Sequence, residues 1–423
     1  MNVHAQNTLT EAETALIDSF AGRFSDLPGD ADVTVRRDEA LELLKQGLPT
    51  RRVEAWHYTD LRRLLSTIPA FKPVSEAEAV APLLDHAVVL PVLNGTVHDR
   101  EAGPEGVAIA RLADKLQEGA VEAEWLTAAD RFDAVGAVNA AFVSDGYWLD
   151  IEEDAELEHP LELQNIHAGG QVHARFVANF GVNSKATVVE RQTGAGSAFA
   201  TSMTHLDVAD GAEVLWIVLQ EQPDDTAYLG RFSAKLGKGA KLTLFVMNSG
   251  GKLVRQEVKV VAGGEGSEFK LRGVNLLGGE AHCDVTMVLD HTAPDTFSTE
   301  TLRNVVTGKA NGVFQGQIRV AQIAQKTDAK MACNTLLLSD EAGFSSKPEL
   351  EIFADDVACG HGATVTDIED EHLFYLMSRG IDEKMARGLL VKAFVAEVIE
   401  ELEDQSVIEA LEARLVNWFA EHG

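Results

Sequence analysis

The sequence predicts a mainly β protein, with a central β-solenoid between two α-helical regions. Three observations support this fold class. Strand-length, β-branched segments replace helical patterns from about residue 149, they recur at a near-constant period, and helical periodicity returns after about residue 364. A β-sandwich with regularly spaced hairpins is the alternative. The even spacing and the scarcity of Asn-Gly and Asp-Gly turns favour the solenoid.

The N-terminal region, residues 1–90, is predicted to be helical. Apolar residues recur at helical spacing over 9–24 and again over 38–46, where Gly47 and Pro49 end the second helix. Residues 47–59 then place two aromatic side chains beside several basic ones. This segment is either a binding patch or a packed turn between helices, and its local chemistry favours the turn. Residues 91–148 are predicted to link this region to the core.

The predicted solenoid core, residues 149–362, is built from a repeated turn and strand. The unit starts at residues 154, 184, 211, 239, 266 and 294, so the successive spacings are 30, 27, 28, 27 and 28. Three of these starts are closely alike, namely Gly211-Ala212, Gly239-Ala240 and Gly266-Ser267. A single turn of chain cannot bury its inward face, whereas stacked turns share one continuous core. The period therefore indicates stacked strands.

The C-terminal region, residues 363–423, is predicted as a helical domain. A short helix over 369–378 ends before Gly380, and Asp382 caps a longer helix. Five apolar residues of this longer helix are expected on or near one face: Met385, Leu389, Ala393, Val398 and Leu402. A capping box from Ser406 to Glu409 is expected to open the last helix. The domain is either a cap or a docking platform, with an acidic flank at Glu397, Glu400, Glu401, Glu403 and Asp404.

Composition excludes several classes of function. The chain has 36 Lys and Arg against 67 Asp and Glu, a net charge of −31, which disfavours binding to nucleic acid or anionic lipid. Its three cysteines form no disulfide framework, its N-terminus does not resemble a signal peptide, and no apolar run could span a membrane. We therefore expect a cytoplasmic protein. Nucleotide-binding and hydrolase motifs are missing from the sequence, which favours a scaffold over an enzyme.

One segment, residues 355–364, contains candidate metal ligands at the end of the predicted core. Cys359 and His361 are two residues apart, so in an extended strand they lie on the same side and could bind one metal ion, with Asp355 or Asp356 adding an oxygen. From spacing alone, a buried cysteine and a hydrogen-bonded histidine are the favoured interpretation. Cys333 is expected in the core.

The same segment resembles the SufD-type members of the SufB/SufD family, whose members form the scaffold of the SUF iron–sulfur assembly system. The similar stretches are residues 354–365, 374–381, 47–59, 139–146 and 347–352, so the resemblance covers the whole chain. Gly362 follows His361, whereas the SufB type has a glutamate at that place. The SufD type is therefore the better match.

The resemblance implies a right-handed parallel β-helix and a non-catalytic scaffold that pairs with SufB and binds the SufC ATPase. It implies that a transient Fe–S cluster or iron is shared with SufB, with His361 as a ligand, Cys359 nearby and Cys333 ranked third. It leaves open whether the assembled complex binds a reduced flavin and whether the isolated chain forms a homodimer. ATPase docking is expected on the C-terminal helices, at Phe374, Tyr375, Arg379, Met385, Leu389 and Phe394.

Two other functions are weighed against this one. A β-helical carbohydrate-active enzyme would need a row of carboxylates along one face of the solenoid, and no paired-aspartate strand motif stands out. A stand-alone metal-storage or metal-delivery protein would bind metal tightly without a partner. Metal analysis of the isolated chain separates this last function from the scaffold.

Overall fold

The computed structural model describes residues 8–422, apart from 73–76, 99–102 and 122. Within these residues the chain forms two nine-stranded sheets that lie face to face, and it passes from one sheet to the other at each turn. The predicted parallel β-solenoid with helices at both ends is confirmed. No described helix is long and apolar enough to cross a membrane.

Sheet A and sheet B are named here with their strands in spatial order. Sheet A consists of β1 (Val88–Leu93), β4 (Leu161–His167), β6 (Lys185–Gly194), β8 (Glu213–Gln220), β10 (Lys241–Asn248), β12 (Glu268–Leu277), β14 (Phe297–Val306), β16 (Asp328–Leu337) and β18 (Ala358–Thr366). Sheet B consists of β2 (Val107–Arg111), β3 (Asp145–Ile151), β5 (Gly170–Phe180), β7 (Ala198–Val208), β9 (Ala227–Leu236), β11 (Leu253–Ala262), β13 (His282–His291), β15 (Asn311–Val320) and β17 (Gly343–Ile352).

The helices lie before and after the strand region, except for two that lie between β2 and β3. They are α1 (Glu11–Arg23), α2 (Ala31–Leu44), α3 (Leu61–Leu64), α4 (Leu112–Gln117), α5 (Ala134–Phe142), α6 (Asp370–Ser378), α7 (Glu383–Glu400) and α8 (Gln405–His422). The N-terminal helices cover the outer face of sheet B, where α5 packs on Phe199, Leu229 and Leu253. The C-terminal helices cover the outer face of sheet A.

The strand register follows the period of the sequence. Lys241 pairs in parallel with Glu213 on one side and with Glu268 on the other, so equivalent positions of neighbouring turns stack directly. At three corners Gly211, Gly239 and Gly266 have φ of 70°, 63° and 72°, which lie in the left-handed region that favours glycine. The repeated Gly-Ala and Gly-Ser pairs are therefore corner residues.

The interior of the solenoid is one continuous apolar cluster that runs from Leu90 to Cys333 and ends at Ala354. A column of amide side chains crosses sheet A beside this cluster, because Asn248 donates to Asn275 at 2.7 Å and Asn275 donates to Asn304 at 2.6 Å. Each amide of this column therefore has a hydrogen-bond partner in a neighbouring turn, although the Asn248 Oδ1 accepts from no donor among the described residues. Sheet A begins at β1, which pairs with β4. This strand spans residue 90, where the sequence predicted the end of the N-terminal region.

Residues 47–59 form the predicted packed turn. The Trp56 ring is buried under the Arg255 guanidinium, with 3.9 Å from Cζ to the ring centroid, and its indole donates to the carbonyl oxygen of Phe132 at 3.1 Å. Thr59 contacts His282 at 2.9 Å, between Oγ1 and Nε2. Trp56 and Thr59 therefore attach the N-terminal region to sheet B, whereas the basic residues Arg51, Arg52 and His57 of this segment are exposed.

Three details of the helices differ from the sequence prediction. Helix α2 begins at Ala31 with Asp30 as its cap, seven residues before the predicted start at 38. Asp404, not Ser406, caps α8, because its carboxylate accepts from the backbone N–H groups of Ser406 and Val407. The expected single apolar face of α7 is wrong, because Met385 and Leu389 are exposed, whereas the apolar residues nearer its end are buried on sheet A. Helix α7 therefore has apolar side chains on two faces.

Candidate functional site

The strand β18 is the last strand of sheet A, and β17 is the last strand of sheet B. Together they form the final turn of the solenoid, which has no further turn stacked on it within the described residues. The inward side chains of this turn are consequently half-buried or exposed, whereas the same positions in earlier turns are buried. This open end of the solenoid carries the candidate site.

Cys359 and His361 lie on the same side of β18, as predicted. In the strand register Cys359 stacks on Ala329 and His361 stacks on Met331, and both of these β16 residues are buried in the core. His361 is exposed, and Cys359 is half-buried against the core. Because alternate residues of a strand are about 6.7 Å apart, a thiolate and an imidazole at these positions can reach one metal ion.

The thiols of the chain differ in their surroundings. Partial burial raises the pKa of Cys359, and the carboxylates of Asp328 and Glu300 add to this rise. Burial raises the pKa of Cys333 to about 11, although Asn304 donates to its sulfur at 3.4 Å. A metal ion must therefore displace the proton of either thiol at neutral pH.

Cys333 lies deeper than the other two candidates. It belongs to β16, stacks under Ala363 of β18, and is buried in the core. Its Cα lies on the strand next to that of His361, about 4.8 Å away across the sheet, and is displaced from it by two residues along the strand. Cys283 and His282 point to opposite faces of β13, as expected, since Cys283 is in the core and His282 contacts Thr59.

The described residues contain no group of three or more His, Cys, Asp or Glu side chains that could hold a metal ion. Of the two predicted oxygen ligands, Asp356 is paired with Lys326, and Asp355 is exposed nearby. Among the described residues, Cys359 and His361 are thus only two candidate ligands, too few to close a metal site on their own.

The glycines on either side of His361 face the outer surface of β18. A Cβ added to Gly360 or Gly362 would meet no atom within 4 Å, so packing inside this chain does not require glycine at either position. Glycine within a strand is common where another backbone or a ligand approaches closely. The bare outer surface beside His361 is therefore suited to close contact with another molecule.

A second exposed surface lies on α6 and the first half of α7. We call it the helical patch, and it consists of Phe374, Tyr375, Met377, Arg379, Met385 and Leu389. Its large apolar side chains are 42–74% exposed, whereas Leu373 is buried beneath them. The Arg379 guanidinium lies over the Tyr375 ring, with 5.1 Å from Cζ to the centroid. Contiguous exposed apolar side chains of this kind mark interaction surfaces.

Phe394 does not belong to the helical patch. It packs against sheet A, and the Arg303 guanidinium lies over its ring at 5.2 Å from the centroid. The acidic flank is also used within the chain, because Glu397 pairs with Arg303 and Glu401 with Arg272, both at 2.6 Å. These carboxylates attach α7 to sheet A, so part of the acidic flank is paired within the chain.

Comparison with known proteins connects this arrangement to a function. Residues 163–394 match the family model described as SUF system FeS cluster assembly, SufBD core domain. The chain belongs to the SufBD family. It is 28% identical to iron–sulfur cluster assembly protein SufD of Escherichia coli over 91% of this chain and 94% of that protein. The family has a role in iron–sulfur cluster assembly.

Two further relatives have similar coverage. A SufBD family protein of Synechocystis is 27% identical over 91% of this chain and 90% of its own length. A chloroplastic Arabidopsis thaliana protein named ABCI7 is 25% identical over 88% of this chain and 83% of its own length. The similarity to SufBD proteins therefore extends over both helical flanks as well as the core.

One buried acid, two turns from the open end, was not predicted from the sequence. Glu300 of β14 is buried in the solenoid, and neither of its carboxyl oxygens has a hydrogen-bond partner among the described residues. Burial raises the pKa of this carboxyl to about 8. The Ser298 side chain and the positive charge of Arg272 lower the pKa, but by less than burial raises it. The sequence signal for it was weak, because the buried positions of β14 also include the polar residues Ser298 and Asn304.

Proposed function

We propose that this SufBD family chain is a non-catalytic scaffold subunit that presents part of an iron–sulfur assembly site at the open end of its solenoid. The observation that carries the proposal is the position of His361, exposed on the last strand of sheet A beside the half-buried Cys359. The cluster, or its iron, is the cargo of this site. Thiolate and imidazole are suitable ligands for it.

The incomplete ligand set supports a site shared with a partner. His361 and Cys359 supply two ligands, and Cys333 is a third candidate only if the chain rearranges around its buried sulfur. An Fe–S cluster is usually held by four protein ligands. We therefore infer that a second subunit completes the site and that separation of the two subunits releases the cargo.

The shape of the open end supports a SufB-type subunit as this partner. Parallel strands at the end of a sheet present unpaired backbone groups, which favour pairing with another chain. Ile352 and Phe353 are exposed beside these strands and add apolar area. A second copy of this chain would face the same edges, so a homodimer competes with the heterodimer when SufB is lacking.

The helical patch supports docking of the SufC ATPase. Its exposed aromatic and aliphatic side chains, with Arg379 at its edge, have the composition common in protein interfaces. The ATPase contributes the nucleotide chemistry in this proposal, and the scaffold contributes binding surfaces. Movement of docked SufC subunits on ATP binding would move the C-terminal helices and open the interface between the scaffold subunits.

The proposal includes a cytoplasmic location. Three free cysteines, two of them at or near the candidate site, keep their thiols in a reducing compartment. A reduced thiol is needed for the cluster ligation proposed for Cys359.

The test of the ligand is His361→Ala in the assembled complex, co-expressed with its SUF partners. We expect loss of most of the iron and sulfide that co-purify with the complex, because one ligand of an incomplete set is removed. The matched control is His372→Ala, since His372 is also an exposed histidine but lies on α6. Normal iron and sulfide content in the His361 variant, with the complex intact, would refute the ligand role.

The test of docking is Leu389→Glu, which places a charge in the helical patch. We expect at least a tenfold loss of co-purified ATPase, because burying an unpaired charge in an interface is strongly unfavourable. Val416→Glu is the control, since Val416 is also apolar and exposed but lies on α8. Equal loss in both variants would show that the helical patch is not the docking surface.

The metal-delivery alternative has its own outcome. Tight, stoichiometric iron binding by the isolated chain would favour storage or delivery over a shared scaffold. The incomplete ligand set at β18 supports the scaffold, for which metal content rises only in the complex. The described structure offers no specific observation in favour of the carbohydrate-active enzyme.

A further inference from the structure

A row of polar contacts connects helix α7 to the strand that carries His361. Glu397 of α7 accepts a hydrogen bond from Arg303 at 2.6 Å, Arg303 donates to Asn334 at 2.7 Å, and Asn334 donates to Thr364 at 2.7 Å. Arg303, Asn334 and Thr364 are register partners on β14, β16 and β18. We call these four residues the polar relay.

Helix α7 holds the relay at two points. Phe394 and Glu397 are three residues apart, so they lie on the same face of the helix, and both contact the Arg303 guanidinium. The Arg303 side chain is only 13% exposed, whereas that of Glu397 is 64% exposed. The arginine is therefore fixed between the helix and the sheet, and a shift of α7 must move it or break its contacts.

The relay ends on the strand of the candidate site. Thr364 lies on the outer face of β18, three residues from His361 on the inner face. Because β18 has a neighbouring strand on one edge only, its position depends more on such side-chain contacts than that of a central strand. The backbone of Asn334 is also fixed, because its carbonyl oxygen accepts a hydrogen bond from the Asn304 side chain at 3.1 Å.

We propose that Arg303 and Asn334 are positioning residues that couple the C-terminal helices to the strand bearing His361. This proposal rests on the proposed function, in which α7 carries part of the ATPase docking surface. A displacement of α7 on docking would loosen β18 through the loss of the Arg303–Asn334–Thr364 contacts. The site would then respond to the partner without any contact between the two.

A second ion pair on the same helix provides the matched control. Arg272 donates to Glu401, the residue that follows α7, at 2.6 Å, and also to the Leu271 carbonyl oxygen and two oxygen atoms of Thr299. These contacts stay on β12 and β14 and do not reach β18. Substitution of Glu401 should therefore disturb the attachment of α7 but not the site strand.

The experiment is amide hydrogen exchange of the full chain, read at the β18 residues, for Glu397→Gln and Glu401→Gln. We expect exchange in β18 to be about three- to tenfold faster in Glu397→Gln and unchanged in Glu401→Gln. In an Asn334→Ala background, Glu397→Gln should have no further effect, because the relay is already broken. Unchanged β18 exchange in Glu397→Gln, or an equal increase in both variants, would overturn the proposal.

A second measurement separates the relay from the docking proposal. Exchange in β18 is compared in the ATPase complex with and without a non-hydrolysable nucleotide analogue, for the wild type and for Asn334→Ala. A nucleotide-dependent change in the wild type that is lost in the variant supports the relay. Intact ATPase binding without that change overturns the relay, whereas failure of the ATPase to bind refutes the docking proposal alone.

Discussion

The middle of the solenoid and its last turn are built from the same repeat but have opposite properties. In β10 and β12 every inward side chain is buried between neighbouring turns, whereas the equivalent positions of β17 and β18 are half-buried or exposed. The strands stack in the same register to the end, but no further turn of the described residues covers the last one. One structural unit thus provides stability where it is stacked and an accessible surface where it stops.

The first way to test this comparison is native-state alkylation of the three thiols. We expect Cys359 to react about a thousandfold or more faster than Cys283, because Cys283 is buried, its pKa is raised, and labelling it requires opening that costs at least about 5 kcal/mol. Mass spectrometry of peptides from timed samples measures the rates. Denatured protein, in which all three thiols react, is the control. Similar rates for the three would contradict a sealed middle and an open end.

The second test compares the same substitution in the two regions. Leu244→Ala, at a fully buried position in β10, should lower the free energy of unfolding by about 2–5 kcal/mol. Leu350→Ala, at a half-buried position in β17, should lower it by about 1 kcal/mol, because less contact is lost. Denaturant titration of both variants measures the difference. Equal losses would show that the last turn is as tightly packed as the middle.

The third test uses the buried Glu300, which lies two turns from the open end. Its pKa is about 8 when folded and 4.5 in the reference state, so the neutral carboxyl stabilises the fold fully below about pH 4.5. That contribution is lost as pH rises to about 8. Between pH 5 and pH 8 the wild type should therefore lose about 3 kcal/mol relative to Glu300→Gln.

Denaturant titrations of both proteins at several pH values in this range measure that difference. Glu341→Gln is the control, because Glu341 is solvent-exposed, and its effect should be nearly constant with pH. A pH-independent difference between Glu300→Gln and the wild type would show that Glu300 is hydrated. The sealed interior would then end one turn earlier than described.

Much of the fold could be predicted because the period of the repeat is set by residue types that act locally. The corner pairs Gly211-Ala212, Gly239-Ala240 and Gly266-Ser267 adopt the left-handed turns that a regular stack needs, and the strands between them follow the same register. The placement of Cys359 and His361 on the same side of β18 could also be predicted locally, because side chains alternate between the two faces of a strand. The roles of these residues as ligands stay predictions.

The helical faces and charges could not be predicted in the same way. A helix with apolar residues on two faces offers no local signal for which face meets the sheet, so Met385 and Leu389 were grouped with residues that are buried. The acidic flank looked available to a partner because Arg303 and Arg272 are about 94 and 129 residues away in sequence. Only the fold brings those arginines under α7.

Residue order alone is enough to predict the repeat, the helical flanks, the likeness to SufBD proteins and the residues at the final strand. These features depend on residue type and spacing, which act over a few residues at a time. Three features follow only from the folded chain: among the described residues the last turn is uncovered, Glu300 is buried without a hydrogen-bond partner, and α7 is linked to β18 through Arg303 and Asn334. Each of these depends on which distant segments meet, and stacking of the whole chain fixes that.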